Sequence, residues 1–182
     1  MRITVSGLPG SGTTSLSRYL AERHGFSMIS AGEVFRQLAK EHNMELARFG
    51  DLARQDPAYD KMIDARQKEI AKERDNIIVE GRLSGWMVDD ADLKIWLYAP
   101  IDCRIKRIVF RDQVADEATA QNLTLEREQC EADRYRSYYD INISDLSIYH
   151  IILNSAHWDV EGLGAIIDTS IARLKQQNRQ NP

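Results

Sequence analysis

Long apolar runs are missing from this 182-residue chain. None approaches the roughly 18 residues that a membrane-crossing helix needs, so a helical membrane protein is not expected. No apolar stretch follows the first residues either, so no signal peptide is expected and a cytoplasmic setting is the default. Cysteine is scarce. Cys103 and Cys130 make no C-x-x-C pair, which argues against a disulfide framework or a zinc site and fits a reducing compartment. Excess positive charge is absent: 24 Lys and Arg stand against 28 Asp and Glu, a formal net charge of −4. That weighs against a general nucleic-acid or membrane-surface binder and leaves room for a local basic cleft. The four histidines, His24, His42, His150 and His157, share no ligand spacing and have no nucleophile partner, so they read as structural or surface residues. No N-K-x-D motif supports a GTPase, and no repeat, low-complexity tract or linker is visible.

What is present begins with MRITVSGLPGSGTTS. Arg2 to Ser6 reads as a strand with Ile3 and Val5 inward, Gly7 to Gly12 as a glycine-rich turn, and Thr13 onward as a helix stopped by Gly25. A strand, a glycine turn and a helix are the context that makes a phosphate-binding loop credible. Glycines let the amides curl around an anion, and the helix adds free N–H groups and the positive end of its dipole. The pattern G-x-x-x-x-G-K-[ST] is met by Gly7, Gly12 and Thr14, but Thr13 stands where the pattern has Lys. A tight turn with no ligand is the plain alternative.

Further along, Phe26 to Ser30 reads as a second strand, and Ser30 can cap a helix opening near Gly32. Asn43 begins another helical stretch and Pro57 a third, so 31–75 is expected to be a charged helical insertion. Its large apolar residues are sparse, and thin packing predicts more mobility than in the sheet. Asn76 to Glu80 and Leu93 to Tyr98 read as buried parallel strands around a loop, Gly81 to Trp86. Ile101 to Asp112 reads as a basic helix, Thr124 to Tyr139 as a charged helix, Ser147 to Leu153 as the last strand, and Val160 to Leu174 as an amphipathic helix before a frayed polar tail. Alternating strands and helices imply a parallel, five-stranded sheet with helices on both faces. The 43% hydrophobic content suffices for a sizeable core, so one domain over 1–182 is expected.

Taken together, GLPGSGTTS, ISAGEVFR, IIVEGR and DADLKIWL resemble the nucleoside monophosphate kinases, most closely cytidylate kinases of the archaeal type. The resemblance runs from Met1 to about Trp158. It implies an α/β fold of the P-loop NTPase type, a helical insertion that binds the monophosphate (about 31–75) and a short helical lid (about 104–136). It also implies phosphate transfer from ATP, with Mg²⁺, to CMP or dCMP. Gly7, Leu8, Pro9, Gly10, Ser11, Gly12, Thr13, Thr14 and Ser15 would hold the donor, and Thr14, Ser15 and, through water, Glu80 the metal. Arg36 and Arg82 would bind the acceptor; a planar guanidinium meets two phosphate oxygens at once. Ala31 stands where relatives often have Ser or Thr. Surface or strand-end ion pairs are the alternative for these charges, with Glu33 and Glu41 as partners for Arg36.

Arg107 and Arg111, four apart on one helix face beside Arg104 and Lys106, resemble the lid arginines that close over ATP. Arg127, Glu131 and Arg134 repeat the look of a second lid helix, with Glu131 placed to orient the two arginines; plain intrahelical ion pairs are the alternative. Phosphoryl transfer rests on positioning and charge, so an arginine-rich lid is a chemical requirement, and these arginines are expected to offset the charge missing at Thr13. Tyr135, Tyr138 and Tyr139 read as packing, and Asn154-Ser155-Ala156 as a loop whose backbone lies along adenine in relatives. Acceptors such as AMP or UMP stay open. A carboxylate accepting from the cytosine amino group would favour CMP, with Asp56, Asp60 and Asp64 as candidates. A catalytically weak nucleotide-binding sensor also stays open, because Thr13 replaces the loop lysine. The expected partners are small nucleotides only, without nucleic acid or membrane, and a monomer is the family default.

Overall fold

Strands β1 (Arg2–Gly7), β2 (Ser27–Ser30), β3 (Ile77–Glu80), β4 (Leu93–Tyr98) and β5 (Ile151–Asn154) form one fully parallel sheet in the order β2-β3-β1-β4-β5. The computed structural model describes residues 1–45, 48, 49, 52, 56–113 and 116–180. Its helices are α1 (Thr13–His24), α2 (Ala31–Glu41), α3 (Pro57–Glu73), α4 (Ser84–Met87), α5 (Ile101–Asp112), α6 (Glu117–Tyr139) and α7 (Val160–Gln180). Part of the helical stretch expected from Asn43 lies outside the described residues. The α/β architecture and the five parallel strands are those expected. No helix among the described residues is long and apolar enough to cross a membrane.

The period of two along each strand sorts side chains to opposite faces. Ile3, Val5, Ile78, Leu93, Ile95 and Leu97 pack with Leu16 and Leu20 of α1 and Leu163, Ile167 and Ile171 of α7. Ile77 and Val79 point the other way, into a cluster with Val34, Leu38, Phe49, Ile63 and Ala71. Full burial of such a side chain contributes about 1.5–3 kcal/mol. This second cluster corrects the expectation of a thinly packed insertion. Aromatic rings supply the volume that its few aliphatic residues leave: fully buried Phe49 meets the rings of Phe35 and Tyr59, each at 5.0 Å between centroids.

Some boundaries also differ. Gly7 belongs to β1, paired with Leu97. The expected loop after Gly81 contains α4, whose Ser84 Oγ lies 2.9 Å from buried Ser6 Oγ and draws the segment against β1. Helix α6 starts seven positions before Thr124, because Asp116 caps it by accepting from the Thr119 amide at 2.8 Å and hydroxyl at 2.7 Å. The last strand begins only at Ile151: Asp145 accepts from the Ser147 amide at 2.9 Å and turns the chain first. Helix α7 continues through the expected tail to Gln180. Ser30 caps α2 by accepting from the Glu33 amide at 3.1 Å, and α1 ends at Gly25, both as expected.

Candidate active site

Strand β1 lies between β3 and β4, where the strand order reverses, so the loop after Gly7 opens at the carboxyl edge where such sheets take ligands. Gly10 and Gly12 hold φ of 81° and 92°, the left-handed region that side chains resist. A Cβ on Gly10 would also stand 2.6 Å from the Arg104 carbonyl oxygen. The turn closes with the Ser11 amide donating to the Leu8 carbonyl at 3.1 Å. Gly12 is the N-cap of α1, and no side chain caps the helix or adds an acid to its first turn. The first amides of α1 therefore keep their capacity to donate, beside the positive helix end.

Three guanidinium groups grip this loop from outside. Arg82 donates to the Gly7 carbonyl at 2.8 Å, Arg104 to Pro9 at 3.0 Å, and Arg107 to Gly10 at 3.2 Å. With its carbonyl oxygens engaged outward, the loop is left to present amides inward. Arg107 also donates to Ser155 Oγ at 2.9 Å and to the Ser155 carbonyl at 2.6 Å, while Ser155 Oγ donates to the Ser11 carbonyl at 2.6 Å. Arg104 is only 5% exposed and further binds the Ala99 carbonyl and Glu128. Sequence reasoning treated Arg104 as added charge. The missed signal is its place among Ile101, Ile105 and Ile108, a charged residue on an apolar helix face.

Glu131 of α6 joins Arg82 to Arg127: it pairs with Arg82 directly and accepts from Arg127 Nε at 2.7 Å. Burial works against the charge of Arg82, but Glu131 beside it outweighs burial and holds the guanidinium protonated. Burial likewise opposes the Glu131 carboxylate, and Arg82 and then Arg127 keep it below its ordinary value. The i, i+4 ion pair offered as an alternative for Arg127 is thus present, within a network reaching the loop.

Thr13 holds the carboxylate expected at the metal site. Its hydroxyl donates to Glu80 Oε1 at 2.7 Å, across the register that sets Val5 beside Glu80. Thr14 and Ser15, exposed at the start of α1, line a cavity of about 570 Å³ with Gly10–Thr13, Arg107, Arg111 and Trp158. Arg111 reaches that cavity but forms its ion pair with adjacent Asp112 at 2.6 Å, 61% exposed.

A second cavity, about 750 Å³, opens on the other side between α2, α3 and α6. Gly32, Phe35, Asp60, Asp64, Arg127 and Arg134 line it. Arg134 pairs with Asp60 at 3.3 Å, tying α6 to α3. Arg36 is exposed on α2, and a Cβ on Gly32 would stand 3.7 Å from its Nη1, but Arg36 itself lines a separate surface cavity with Lys40 and Asn43. It pairs with neither Glu33 nor Glu41; Glu41 pairs with Arg66 at 3.3 Å. Asp56 is spent capping α3, accepting from the Ala58 amide at 2.8 Å. Asp60 and Asp64 remain as carboxylates facing the cavity. Tyr135 lines it, and Tyr138 stacks edgewise on Tyr139, but Tyr139 also donates to Asp64 at 2.6 Å, more than packing alone. The histidines are structural where they have partners: His24 meets Asp168 at 2.7 Å, His150 accepts from the Lys94 amide at 3.2 Å, and His42 stacks on Phe49.

Burial pushes the Asp64 carboxyl up to about 6, against the Tyr139 hydroxyl that donates to it; Asp60 adds to the rise and Arg134 opposes it. A carboxyl raised in the fold binds protons there that the unfolded chain has released, so its contribution to stability is lost as pH climbs from about 4 through about 6. Relative to wild type, Asp64→Asn should therefore gain about 1–3 kcal/mol of stability between pH ~4 and pH ~7, measured by urea unfolding. A difference that stays constant over that range contradicts the assignment.

Against known proteins, the model of the cytidylate kinase-like family matches residues 2–157. The chain is 74% identical over 176 residues to a protein of Methanoregula boonei named cytidylate kinase, covering 97% of each chain. It is 62% identical over 175 residues to the protein of that name from Methanosphaerula palustris, covering 96% of this chain and 99% of that one. A crystal structure of a gluconokinase from Sinorhizobium meliloti shares the fold, with a TM-score of 0.62 at 14% identity, covering 100% of this chain and 97% of the other.

Proposed function

The chain belongs to the cytidylate kinase-like family, and from that membership and the site's layout we infer that it transfers the terminal phosphoryl group of ATP to CMP or dCMP. The observation that carries this reading is an amide-lined loop opening on one arginine-edged cavity, with a second arginine-edged cavity between α2, α3 and α6. One cavity suits the donor and the other the acceptor. Residues 31–75 then form the acceptor-binding segment, and about 104–136, on α5 and α6, the lid. A monomer acting in the cytoplasm on free nucleotides, without nucleic acid or membrane, goes with this reading.

The free amides along Gly7 to Ser15, those of Leu8, Gly10, Gly12, Thr13, Thr14 and Ser15 among them, hold the donor's phosphates; Pro9, which has no N–H, only shapes the turn and Ser11 closes it. Arg36 and Arg82 hold the acceptor phosphate. Arg107, Arg111, Arg127 and Arg134 surround the group in transit, where charge on its oxygens must be stabilised. Glu131 keeps Arg82 and Arg127 oriented until a phosphate competes for them. Closure excludes water, whose attack would waste the donor as hydrolysis. The acceptor atom is itself an ionised phosphate oxygen, so no general base is required. A divalent cation would supply further charge neutralisation when bound. The Thr14 and Ser15 hydroxyls and the Glu80 carboxylate would hold it, an all-oxygen donor set that fits a hard cation such as Mg²⁺.

An ADP-release assay with ATP and magnesium across a panel of monophosphates tests the reading. CMP and dCMP should lead, with AMP and UMP at least about tenfold lower in kcat/KM. Preference for AMP or UMP moves the acceptor assignment, and silence on every acceptor favours a nucleotide-binding sensor.

A further inference from the structure

We propose that Trp158 is the platform on which the base of the phosphate donor stacks. The proposal rests on the assignment of the 570 Å³ cavity to the donor. Trp158 lines that cavity with the loop and is 53% exposed, whereas Trp96 is buried in the fold. Its place is built in. Trp158 precedes α7, and Asp159 Oδ1 fixes the entry by accepting from the Gly162 amide at 2.8 Å. Glycine in a helix is unfavourable by about 1 kcal/mol relative to alanine, yet position 162 has it. A Cβ there would stand 3.2 Å from Trp158 Cε3, so the missing side chain is the space in which the indole rests.

The neighbouring backbone gives the second half of the argument. An adenine edge needs free amides and carbonyls. In the 154–157 segment the Ser155 amide donates to Tyr98, the Ser155 carbonyl accepts from Arg107, the Ala156 amide donates to Asn154 Oδ1, and the His157 amide donates to the Asn154 carbonyl. The amides of Ser155, Ala156 and His157 are thus committed within the protein. What a base meets beside them is a large aromatic face, and every nucleobase has a π face to lay on it. The donor is gripped by its phosphates and steadied by stacking.

The test uses the whole protein with Trp158→Leu and Trp158→Phe. With CMP saturating, Trp158→Leu should raise KM for ATP and for GTP alike by about tenfold, leaving KM for CMP within about twofold, while Trp158→Phe keeps most of the affinity. In wild type, ATP and GTP should quench tryptophan fluorescence and inorganic tripolyphosphate, which has no base, should not; the Leu variant should lose the quench. An unchanged ATP KM in Trp158→Leu, or quenching by tripolyphosphate equal to that by ATP, overturns the platform. Failure of the kinase reading looks different: wild type then transfers no phosphate to CMP, while the fluorescence titration still reports whether a base stacks on Trp158.

Discussion

Arg107→Ala should lower kcat for CMP phosphorylation by about 10²–10³, the loss that follows removal of one pre-positioned donor to a developing anion. Arg107 is placed to act twice. Its Nη1 holds the Gly10 carbonyl at 3.2 Å and so keeps that part of the loop turned, and its Nη2 holds the Ser155 carbonyl at 2.6 Å. Its charge borders the cavity where the transferred group would lie. Arg111→Ala should cost only about tenfold, because that side chain is open to solvent and, among the described residues, pairs only with Asp112. Arg107→Lys restores charge without the planar fork and should fall between wild type and Arg107→Ala. Steady-state kinetics at saturating ATP and CMP decides it. Wild-type turnover in the double Arg107→Ala/Arg111→Ala variant would remove these side chains from the mechanism.

Arg104→Ala should destabilise the fold by about 3–5 kcal/mol, the usual cost of leaving one half of a buried ion pair behind. Arg104 is buried against Glu128, itself only 15% exposed, and also satisfies the Ala99 and Pro9 carbonyls. A total stability of about 5–15 kcal/mol makes that loss a large fraction, and Tm should fall by about 10 °C. Replacing both partners, Arg104→Met with Glu128→Leu, should return much of the stability, since apolar residues of similar volume remove the stranded charge. It should not return activity, because the Pro9 carbonyl still lacks its donor. Urea unfolding and kinetics on the same two variants separate the two contributions. A single variant as stable as wild type contradicts the buried-pair account.

Local chemistry explains which features could be read from the residues. The glycine spacing at positions 7, 10 and 12, the Ser30 cap and the Gly25 stop are each written within a few residues, and the structure has all three. The alternating strands and helices were enough for a parallel five-stranded sheet. Long-range pairing was out of reach. Nothing near Arg104 announces Glu128 twenty-four positions away or Pro9 at the other end of the chain. The resemblance of IIVEGR gives Arg82 a ligand, but its hold on Gly7 and Glu131 depends on how α6 packs. The early start of α6 was hidden because its cap, Asp116, stands outside the stretch whose charge pattern marked the helix. The insertion looked thin because apolar residues were counted and the volume of Phe49 was not weighed.

The turnover of Thr13→Lys measures most directly whether the guanidinium groups on the loop carbonyls stand in for a missing ammonium. Thr13 already has work to do: it fixes Glu80 by a 2.7 Å hydrogen bond, and a lysine there would pair with that carboxylate and take it from its post. Arg107 brings its charge to the loop cavity without it, while Arg82 and Arg104, paired with Glu131 and Glu128, hold the loop's carbonyls. The predicted result is a kcat equal to or below that of wild type. A rise of about tenfold or more would mean that the native loop is short of charge and that the arginines do not supply it.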